Sequence, residues 1–381
     1  MNAELIALAQ RIEQARDLQD VFGTLSGQPD EQLRAARLIF RRLSKVIHPD
    51  RYPLPDDQQI AQRTMAQLNG LWAEARRRIR SGSYTDQAAA AATIRIISRK
   101  RAYDIGMLIS MGEVCQRYAC HFDLNGAARS GIFKIARTPN DNDLVRIEAK
   151  VLRHMRADKN FTRLFPFVPE VFDSFLYDDR RTAPRQANII SRIENVYSLE
   201  EVHAQYPRGV DPKHVAWLWR KLLIALGLAH ARGVIHGAVL PSHILIEPDQ
   251  HGLILDNWVY ALPEPIERDA HLTAIVSAYE VWYPPEVFAR QPPAPSLDIF
   301  MGTRCMVYLL GGDPITGDVP TTVPKAIASF FRGCLLPAPD HRPQQAWNLL
   351  NEFTELIERL WGPRIFRPLA MPSLSNRVLT A

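Results

Sequence analysis

The chain has 381 residues, of which 46% are hydrophobic and 23% are charged, so it can bury the cores of two or three globular domains. The formal net charge of +5 is unevenly placed, because residues 1–103 carry 17 Lys and Arg against 11 Asp and Glu. Residues 104–381 carry 29 against 30. This placement predicts one acidic partner surface for the N-terminal quarter and argues against general nucleic-acid binding.

Cysteine usage and hydropathy exclude further classes of protein. The four cysteines form no C-x-x-C pair and are too few for a disulfide framework in a chain of this length, so we expect buried, reduced thiols. The N-terminus lacks the long apolar run of a signal peptide. The most apolar long window contains Arg220, Lys221, His230 and Arg232, which is too much charge for a membrane span. We therefore expect a soluble, cytoplasmic protein without a membrane partner.

Residues 30–80 predict two long helices around a loop. Apolar residues recur every three or four positions in both segments, which gives each helix an apolar stripe. A row of basic residues, called the basic stripe here, runs beside the first apolar stripe and consists of Arg34, Arg37, Arg41 and Lys45. The prolines of the loop "HPDRYPLPDD" cannot lie in a helix interior, so they separate the helices. The pattern predicts an antiparallel helical hairpin.

This hairpin resembles the J domain of DnaJ-type co-chaperones over about residues 15–80. The resemblance is carried by His48-Pro49-Asp50, which stands at the tip of the hairpin directly after the basic stripe. It implies that His48, Pro49 and Asp50 stimulate ATP hydrolysis by a DnaK-type chaperone, and that the basic stripe docks on that ATPase. A basic face steers toward an acidic groove, and Pro49 would hold the loop in one geometry. The family's fourth helix has no clear counterpart.

From Tyr103 onward, strand-like segments and one helical segment precede a mostly helical half, with Asn125-Gly126 as a turn signal. This order resembles the two lobes of a protein kinase. The predicted fold class is therefore α+β, with a small all-α J-domain hairpin followed by a β-rich N-lobe and an α-rich C-lobe. The predicted boundaries are 1–80 for the J domain with an N-terminal helix, 81–95 for a linker, 96–197 for the N-lobe, 198–361 for the C-lobe and 362–381 for a C-terminal tail. The Pro-rich tail is either disordered or a strap over the C-lobe.

Segments that resemble protein-kinase landmarks follow in the family's order over about residues 100–361. "IFKIAR" is similar to the strand with the phosphate-contacting lysine, here Lys134, and Glu148 stands where the glutamate that pairs with it is found. "LILDNW" occupies the Asp-Phe-Gly position, with Asp256 as the Mg²⁺-binding aspartate. The resemblance also implies an ion pair between Glu286 and Arg342. The residues with implied structural roles are His236, Glu286, Asp298 and Arg342.

The stretch "IHGAVLPSHILI" overlies the kinase catalytic loop without a gap, but its chemistry differs. The Asp that accepts the substrate proton is replaced by Ala238, and the Lys that stabilises the transferring charge is replaced by Leu240. His243 replaces the Asn that holds a second Mg²⁺, and an imidazole is a poor ligand for this hard cation. Gly237 replaces the loop Arg. We therefore expect no catalytic residue among Gly237, Ala238, Leu240 and His243, a pseudokinase pattern.

Lys134, Glu148 and Asp256 allow two interpretations. They form either a nucleotide grip that would take ATP and Mg²⁺, with Asp256 on the metal, or an internal ion-pair network kept for structure. No cofactor is required by either.

Three functions are compatible with these patterns. The first is a non-enzymatic adaptor that recruits and stimulates a DnaK-type chaperone, with the kinase-like domain recognising a client or regulatory protein. The second is an unconventional active kinase or nucleotidyl transferase targeted by its J domain, and the third is a scaffold without either activity. His48-Pro49-Asp50 favours the first over the third, and Ala238, Leu240 and His243 disfavour the second.

Overall fold

The computed structural model describes residues 5–6, 8–9, 12, 15, 18–23, 25, 28–52, 54–80, 84, 94–180, 182–193, 196–248, 251–264, 270–363 and 365–371. The chain divides into two compact units between Ile94 and Arg95. Among the described ranges, no helix combines the length and hydropathy needed to span a bilayer. The four cysteines are buried and carry free thiols, as the composition predicts.

The first unit is helical and contains α1 (Leu18–Phe22), α2 (Pro29–Val46) and α3 (Pro55–Arg80). α2 begins with a capping box, in which the Gln28 amide donates to Glu31 Oε2 at 3.1 Å, and with Pro29 in its first turn. A 3-10 turn, Pro49–Arg51, separates α2 from α3. The loop prolines therefore interrupt the helices as the sequence predicts.

The apolar stripes of α2 and α3 lie in one core. The Phe40 ring stacks on Trp72 with centroids 5.2 Å apart, and Phe22 from α1 contacts the same indole at 6.0 Å. The stripe residues that are buried in this core are Ala36, Leu43, Ile47, Ala61, Leu68, Ala75 and Ile79. Leaving Ala aside, each such side chain stabilises the unit by roughly 1.5–3 kcal/mol relative to exposure.

Part of the predicted linker 81–95 is described. Tyr84 is buried in the helical core, and its hydroxyl donates to the carbonyl oxygen of Gly23 at 2.8 Å. Residues 81–83 and 85–93 lie outside the described part of the chain. A strand begins at Ile94, two residues before the predicted N-lobe boundary.

The second unit opens with a six-stranded sheet and one helix. Its elements are β1 (Ile94–Ile97), β2 (Ala102–Met111), β3 (Cys115–Leu124), β4 (Ala127–Ala136), α4 (Asn142–Arg156), β5 (Val171–Tyr177) and β6 (Arg185–Ser191). The strand order is β1-β2-β3-β4-β6-β5. β1 was not predicted. The turn that follows it is held by Asp173, whose carboxylate accepts from the Ser98 hydroxyl at 2.7 Å and the Tyr103 hydroxyl at 2.9 Å.

The turn between β3 and β4 sets the register of the site. Asn125 and Gly126 both have positive φ, 55° and 81°, as a two-residue hairpin turn requires. Leu124 therefore pairs with Ala127, and the register carries along the hairpin until Arg117 stands opposite Lys134. Both strands can thus place a cation on the same face of the sheet.

The rest of the second unit is mainly helical. Its elements are β7 (Tyr197–Ser198), α5 (Leu199–Gln205), α6 (Pro212–Ala231), β8 (Val234–Ile235), β9 (Ile244–Glu247), β10 (Gly252–Leu255), β11 (Leu262–Pro263), α7 (Pro285–Phe288), α8 (Pro295–Leu309), α9 (Lys325–Cys334) and α10 (Ala346–Trp361). Two small sheets, β10-β9-β7 and β11-β8, contain the two ends of the segment 235–246. The mixed architecture is compatible with the α+β kinase-like fold that the sequence predicts.

Residues 365–371 run as a strap without regular secondary structure. The His251 ring lies between Trp217 and Phe366, 4.2 Å from each centroid, and its Nε2 bonds the Arg367 carbonyl oxygen at 2.6 Å. Leu369 is buried. For these residues the geometry favours the strap over the disordered tail. Residues 372–381 lie outside the described ranges.

Candidate functional site

Lys134 and Glu148 meet in the interior of the second unit. Lys134 Nζ donates to Glu148 Oε1 at 2.6 Å, and both residues have a relative exposure of 0%. Both carboxylate oxygens of Glu148 also accept hydrogen bonds from other residues. Oε1 accepts from the Trp258 backbone amide at 3.1 Å, and Oε2 accepts from Asn188 Nδ2 at 3.1 Å. Glu148 is therefore a fully bonded buried carboxylate, which is the condition for holding a buried charge.

Asp256 follows β10 and is paired with an arginine that the sequence reasoning missed. Arg117 Nη2, from β3, donates to Asp256 Oδ2 at 2.6 Å. Burial alone would raise the pKa of this carboxyl, but the charges of Arg117 and Lys134 outweigh it and hold the pKa at about 2. The hairpin turn at Asn125-Gly126 was the signal that could have found Arg117, because it aligns this residue with Lys134.

A second chain of hydrogen bonds connects Lys134 to the segment 235–246 through Asn257. Lys134 Nζ donates to Asn257 Oδ1 at 2.7 Å, which orients the amide so that its Nδ2 donates to His243 Nε2, also at 2.7 Å. His243 Nε2 must then accept, so Nδ1 carries the proton and donates to the Ala238 carbonyl oxygen at 2.8 Å. Burial lowers the pKa of His243 to about 3, which keeps the imidazole neutral.

The loop that carries these residues is anchored by Asp298 of α8. Its two carboxylate oxygens accept from the backbone amides of His236 at 2.8 Å and Gly237 at 2.9 Å. The His236 ring donates from Nε2 to the Asp256 carbonyl oxygen at 2.9 Å, and burial lowers its pKa. Gly237 has a φ of +75°, and an added Cβ would approach the Tyr260 carbonyl oxygen to 2.8 Å. The backbone at this position therefore requires glycine.

Ala238 and Leu240 are the residues that the sequence comparison aligned with the kinase catalytic Asp and Lys. Both are buried, with a relative exposure of 0%. Neither side chain carries a group that could accept a proton or stabilise a transferring phosphoryl group. Both positions are thus apolar and buried.

Two further contacts join distant parts of the second unit. Arg342 donates to both carboxylate oxygens of Glu286, with Nη2 at 3.3 Å from Oε2. The Glu113 carboxylate accepts from the Ser277 backbone amide at 3.0 Å and from its hydroxyl at 3.1 Å. Glu113 therefore ties the turn between β2 and β3 to the 3-10 segment Ser277–Trp282.

The residues predicted for chaperone binding lie together on the first unit. His48 is exposed and Pro49 half-buried beside the end of α2. The basic stripe of α2 is exposed at all four positions, Arg34, Arg37, Arg41 and Lys45. Asp50 is described for its backbone alone, within the 3-10 turn Pro49–Arg51.

The neutral, buried state of His243 predicts a specific pH dependence. Its folded pKa of about 3 lies below the ordinary value of 6.5, so the unfolded chain takes up the proton first as the pH falls. Stability is therefore lost as the pH decreases from about 6.5 toward 3. At pH 5 the loss from this one residue is about 2 kcal/mol. We expect His243→Asn to reduce the difference in unfolding free energy between pH 7.5 and pH 5 by about this amount.

Denaturant unfolding at the two pH values measures this difference. The exposed His121→Asn variant is the matched control and should keep the wild-type difference. An equal pH dependence in wild type and His243→Asn would contradict the assigned proton state.

No protein-family model matches the chain. It is 21% identical over 173 residues to a probable serine/threonine-protein kinase of Dictyostelium discoideum, covering 44% of this chain and 32% of the relative. It is 23% identical over 217 residues to the serine/threonine-protein kinase PAK mbt of Drosophila melanogaster, covering 55% and 32%. It is 24% identical over 224 residues to the serine/threonine-protein kinase PknB of Mycobacterium tuberculosis, covering 58% and 34%.

The chain thus spans about a third of the length of the curated relatives it matches. At this level of identity, the similarity supports only a coarse assignment, with which the sheet order and the Lys134–Glu148 pair are compatible. The chain contains a kinase-like domain.

Proposed function

We propose that this protein is a J-domain co-chaperone or adaptor that recruits and stimulates a DnaK-type chaperone, and that its kinase-like domain serves recognition or regulation without phosphoryl transfer. The partner at the kinase-like domain would be a client or regulatory protein. The proposal rests on His48-Pro49-Asp50 at a turn between two packed helices, beside an exposed basic stripe.

The helical unit offers the chemistry that such docking needs. The four cations of the basic stripe recur at helical spacing on one exposed face of α2, and they end one turn before His48. An array of this kind attracts an acidic protein surface from a distance and orients it. The test is the steady-state ATPase rate of a DnaK-type chaperone from the same cell, which the full chain should raise.

The absence of phosphoryl transfer is supported by the catalytic groups that the segment 235–246 lacks. A catalytic base contributes roughly 10²–10⁴-fold, so Ala238 alone would leave a slow kinase. Leu240 and His243 also remove stabilisation of charge on the transferring group, which contributes more to the rate of this reaction than the base does. The three losses act on one transition state and are not multiplied.

We therefore expect no detectable transfer of phosphate to protein. The measurement is incubation of the chain with radiolabelled ATP and Mg²⁺ or Mn²⁺, with a generic protein acceptor present. The Lys134→Ala, Asp256→Ala double variant is the control, because it removes the groups that would hold a nucleotide. Label that appears with wild type and vanishes with the control would overturn this half of the proposal.

That outcome would favour the second candidate, an unconventional active kinase or nucleotidyl transferase. Its support is that the relatives bear the names of serine/threonine kinases and that Lys134 and Glu148 are paired. A third outcome, with neither ATPase stimulation nor transfer, would leave a scaffold.

A further inference from the structure

The kinase-like cleft contains a second cation, Arg117, beside Lys134. Arg117 and Lys134 stand directly opposite each other on β3 and β4, and like charges at such a position repel. They coexist because each has a carboxylate of its own, Asp256 for Arg117 and Glu148 for Lys134. With His243 neutral, this cluster of two cations and two carboxylates has no net charge.

We propose that the Arg117 guanidinium takes the place of a divalent metal on Asp256 and so closes the cleft to metal-bound nucleotides. The proposal deepens the non-transferring role given above to the kinase-like domain and rests on it. Arg117 Nη2 lies 2.6 Å from Asp256 Oδ2, on the carboxylate that would otherwise ligate the ion. A fixed internal cation would thereby replace an exchangeable one.

The remaining donors fit Mg²⁺ poorly. Asp256 Oδ1 is buried and has no hydrogen-bond partner among the described residues, so a single carboxylate oxygen is left. His243 could offer only Nε2, which already accepts from Asn257, and Mg²⁺ prefers oxygen in an octahedral arrangement at 2.0–2.1 Å. A metal at Oδ1 would also lie beside the guanidinium, where two cations repel strongly in a low dielectric.

Most of the charged cluster is also shielded from water. Lys134 is 0% exposed, Asp256 is 2% exposed and His243 is 7% exposed. The Lys134 ammonium, which would contact phosphate in a kinase, is held by Glu148 and Asn257 instead. Phosphate binding would have to break these buried contacts, and a buried polar group without a partner is costly. Arg117, at 19% side-chain exposure, is the member nearest to solvent, and its removal leaves Asp256 without its paired cation.

The experiment measures Mn²⁺ binding to the full chain by the loss of the free-ion electron paramagnetic resonance signal. Wild type should bind no Mn²⁺ at Asp256, so its free-ion signal should equal that of the Asp256→Asn variant. Arg117→Ala should bind about one equivalent, because Asp256 is then an uncompensated buried carboxylate. The matched control is Arg117→Ala, Asp256→Asn, which removes both charges and should bind no more than wild type.

Thermal unfolding gives a second reading of the same variants. We expect Arg117→Ala to unfold about 5–10 °C below wild type and to regain about 3 °C or more with millimolar Mg²⁺. Wild type and the double variant should not respond. If Arg117→Ala does not fold, Arg117→Gln keeps a neutral donor for Asp256 and carries the same expectation.

Two results would overturn the proposal. One is Mn²⁺ binding by wild type that Asp256→Asn abolishes, and the other is a folded Arg117→Ala or Arg117→Gln variant that binds no metal. Failure of the wider functional proposal looks different, because it would show as phosphate transfer by wild type or as an unchanged chaperone ATPase rate. Neither of those two measurements involves an Arg117 variant.

Discussion

His48→Gln is expected to abolish stimulation of a DnaK-type chaperone's ATPase by this protein. The side chain is exposed at the end of α2, where the following 3-10 turn, Pro49–Arg51, fixes the backbone. A side chain presented by a preformed turn binds at a reduced ordering cost, so we expect its removal to cost most of the stimulation. The steady-state hydrolysis rate of the chaperone with the variant should equal that of the chaperone alone.

The control for this variant tests whether the loss is local. Gln59→Ala changes an exposed residue on α3 and should leave the stimulation at the wild-type level. Circular dichroism should show the same helix content in all three proteins. Full stimulation by His48→Gln would show that the turn does not act as a J-domain loop.

Arg342→Met is expected to lower the unfolding free energy of the kinase-like unit by about 3–5 kcal/mol. The Arg342 side chain is 0% exposed and that of Glu286 is 11% exposed, so the pair is largely shielded from water. Arg342 also donates from Nε to the Leu336 carbonyl oxygen at 2.6 Å and lies over the Phe300 ring. Removing the guanidinium leaves the Glu286 charge without its partner, and this accounts for most of the loss.

Tryptophan fluorescence during denaturant unfolding measures this loss, since six of the seven tryptophans follow residue 95. Glu286→Gln, Arg342→Met is the matched double variant. Its unfolding free energy should fall by less than the sum of the decreases for Arg342→Met and Glu286→Gln, because no unpaired charge remains. A loss below about 1 kcal/mol for Arg342→Met, typical of exposed pairs, would mean that the pair is not buried in solution.

Periodicity and turn chemistry were sufficient to predict much of the fold. The apolar stripes of α2 and α3 follow from helical spacing, and the β3–β4 hairpin follows from Asn125-Gly126. β1 was not predicted because a strand of four residues is too short to show a clear alternation of apolar and polar residues. The turn after it is held by Asp173, which is 75 residues from Ser98. A short edge strand of this kind depends on contacts that local sequence does not encode.

The candidate site was predictable only in part. Lys134 and Glu148 are separated by 14 residues, and their pairing was implied by the resemblance to protein kinases. Arg117 and Asp256 are 139 residues apart, and Lys134 and Asn257 are 123 apart. Contacts over such distances depend on tertiary packing, which local sequence does not encode. For Arg117, the register of the β3–β4 hairpin was the one available sign that its side chain lies beside Lys134.

The central claim combines a co-chaperone activity with a kinase-like domain that transfers nothing. One measurement addresses both, by following the label of γ-labelled ATP in a mixture of a DnaK-type chaperone, this chain and a protein acceptor. The account predicts faster release of labelled inorganic phosphate than from the chaperone alone, with no additional label on protein. Unchanged phosphate release, or label on protein that is lost with the Lys134→Ala, Asp256→Ala variant, would contradict it.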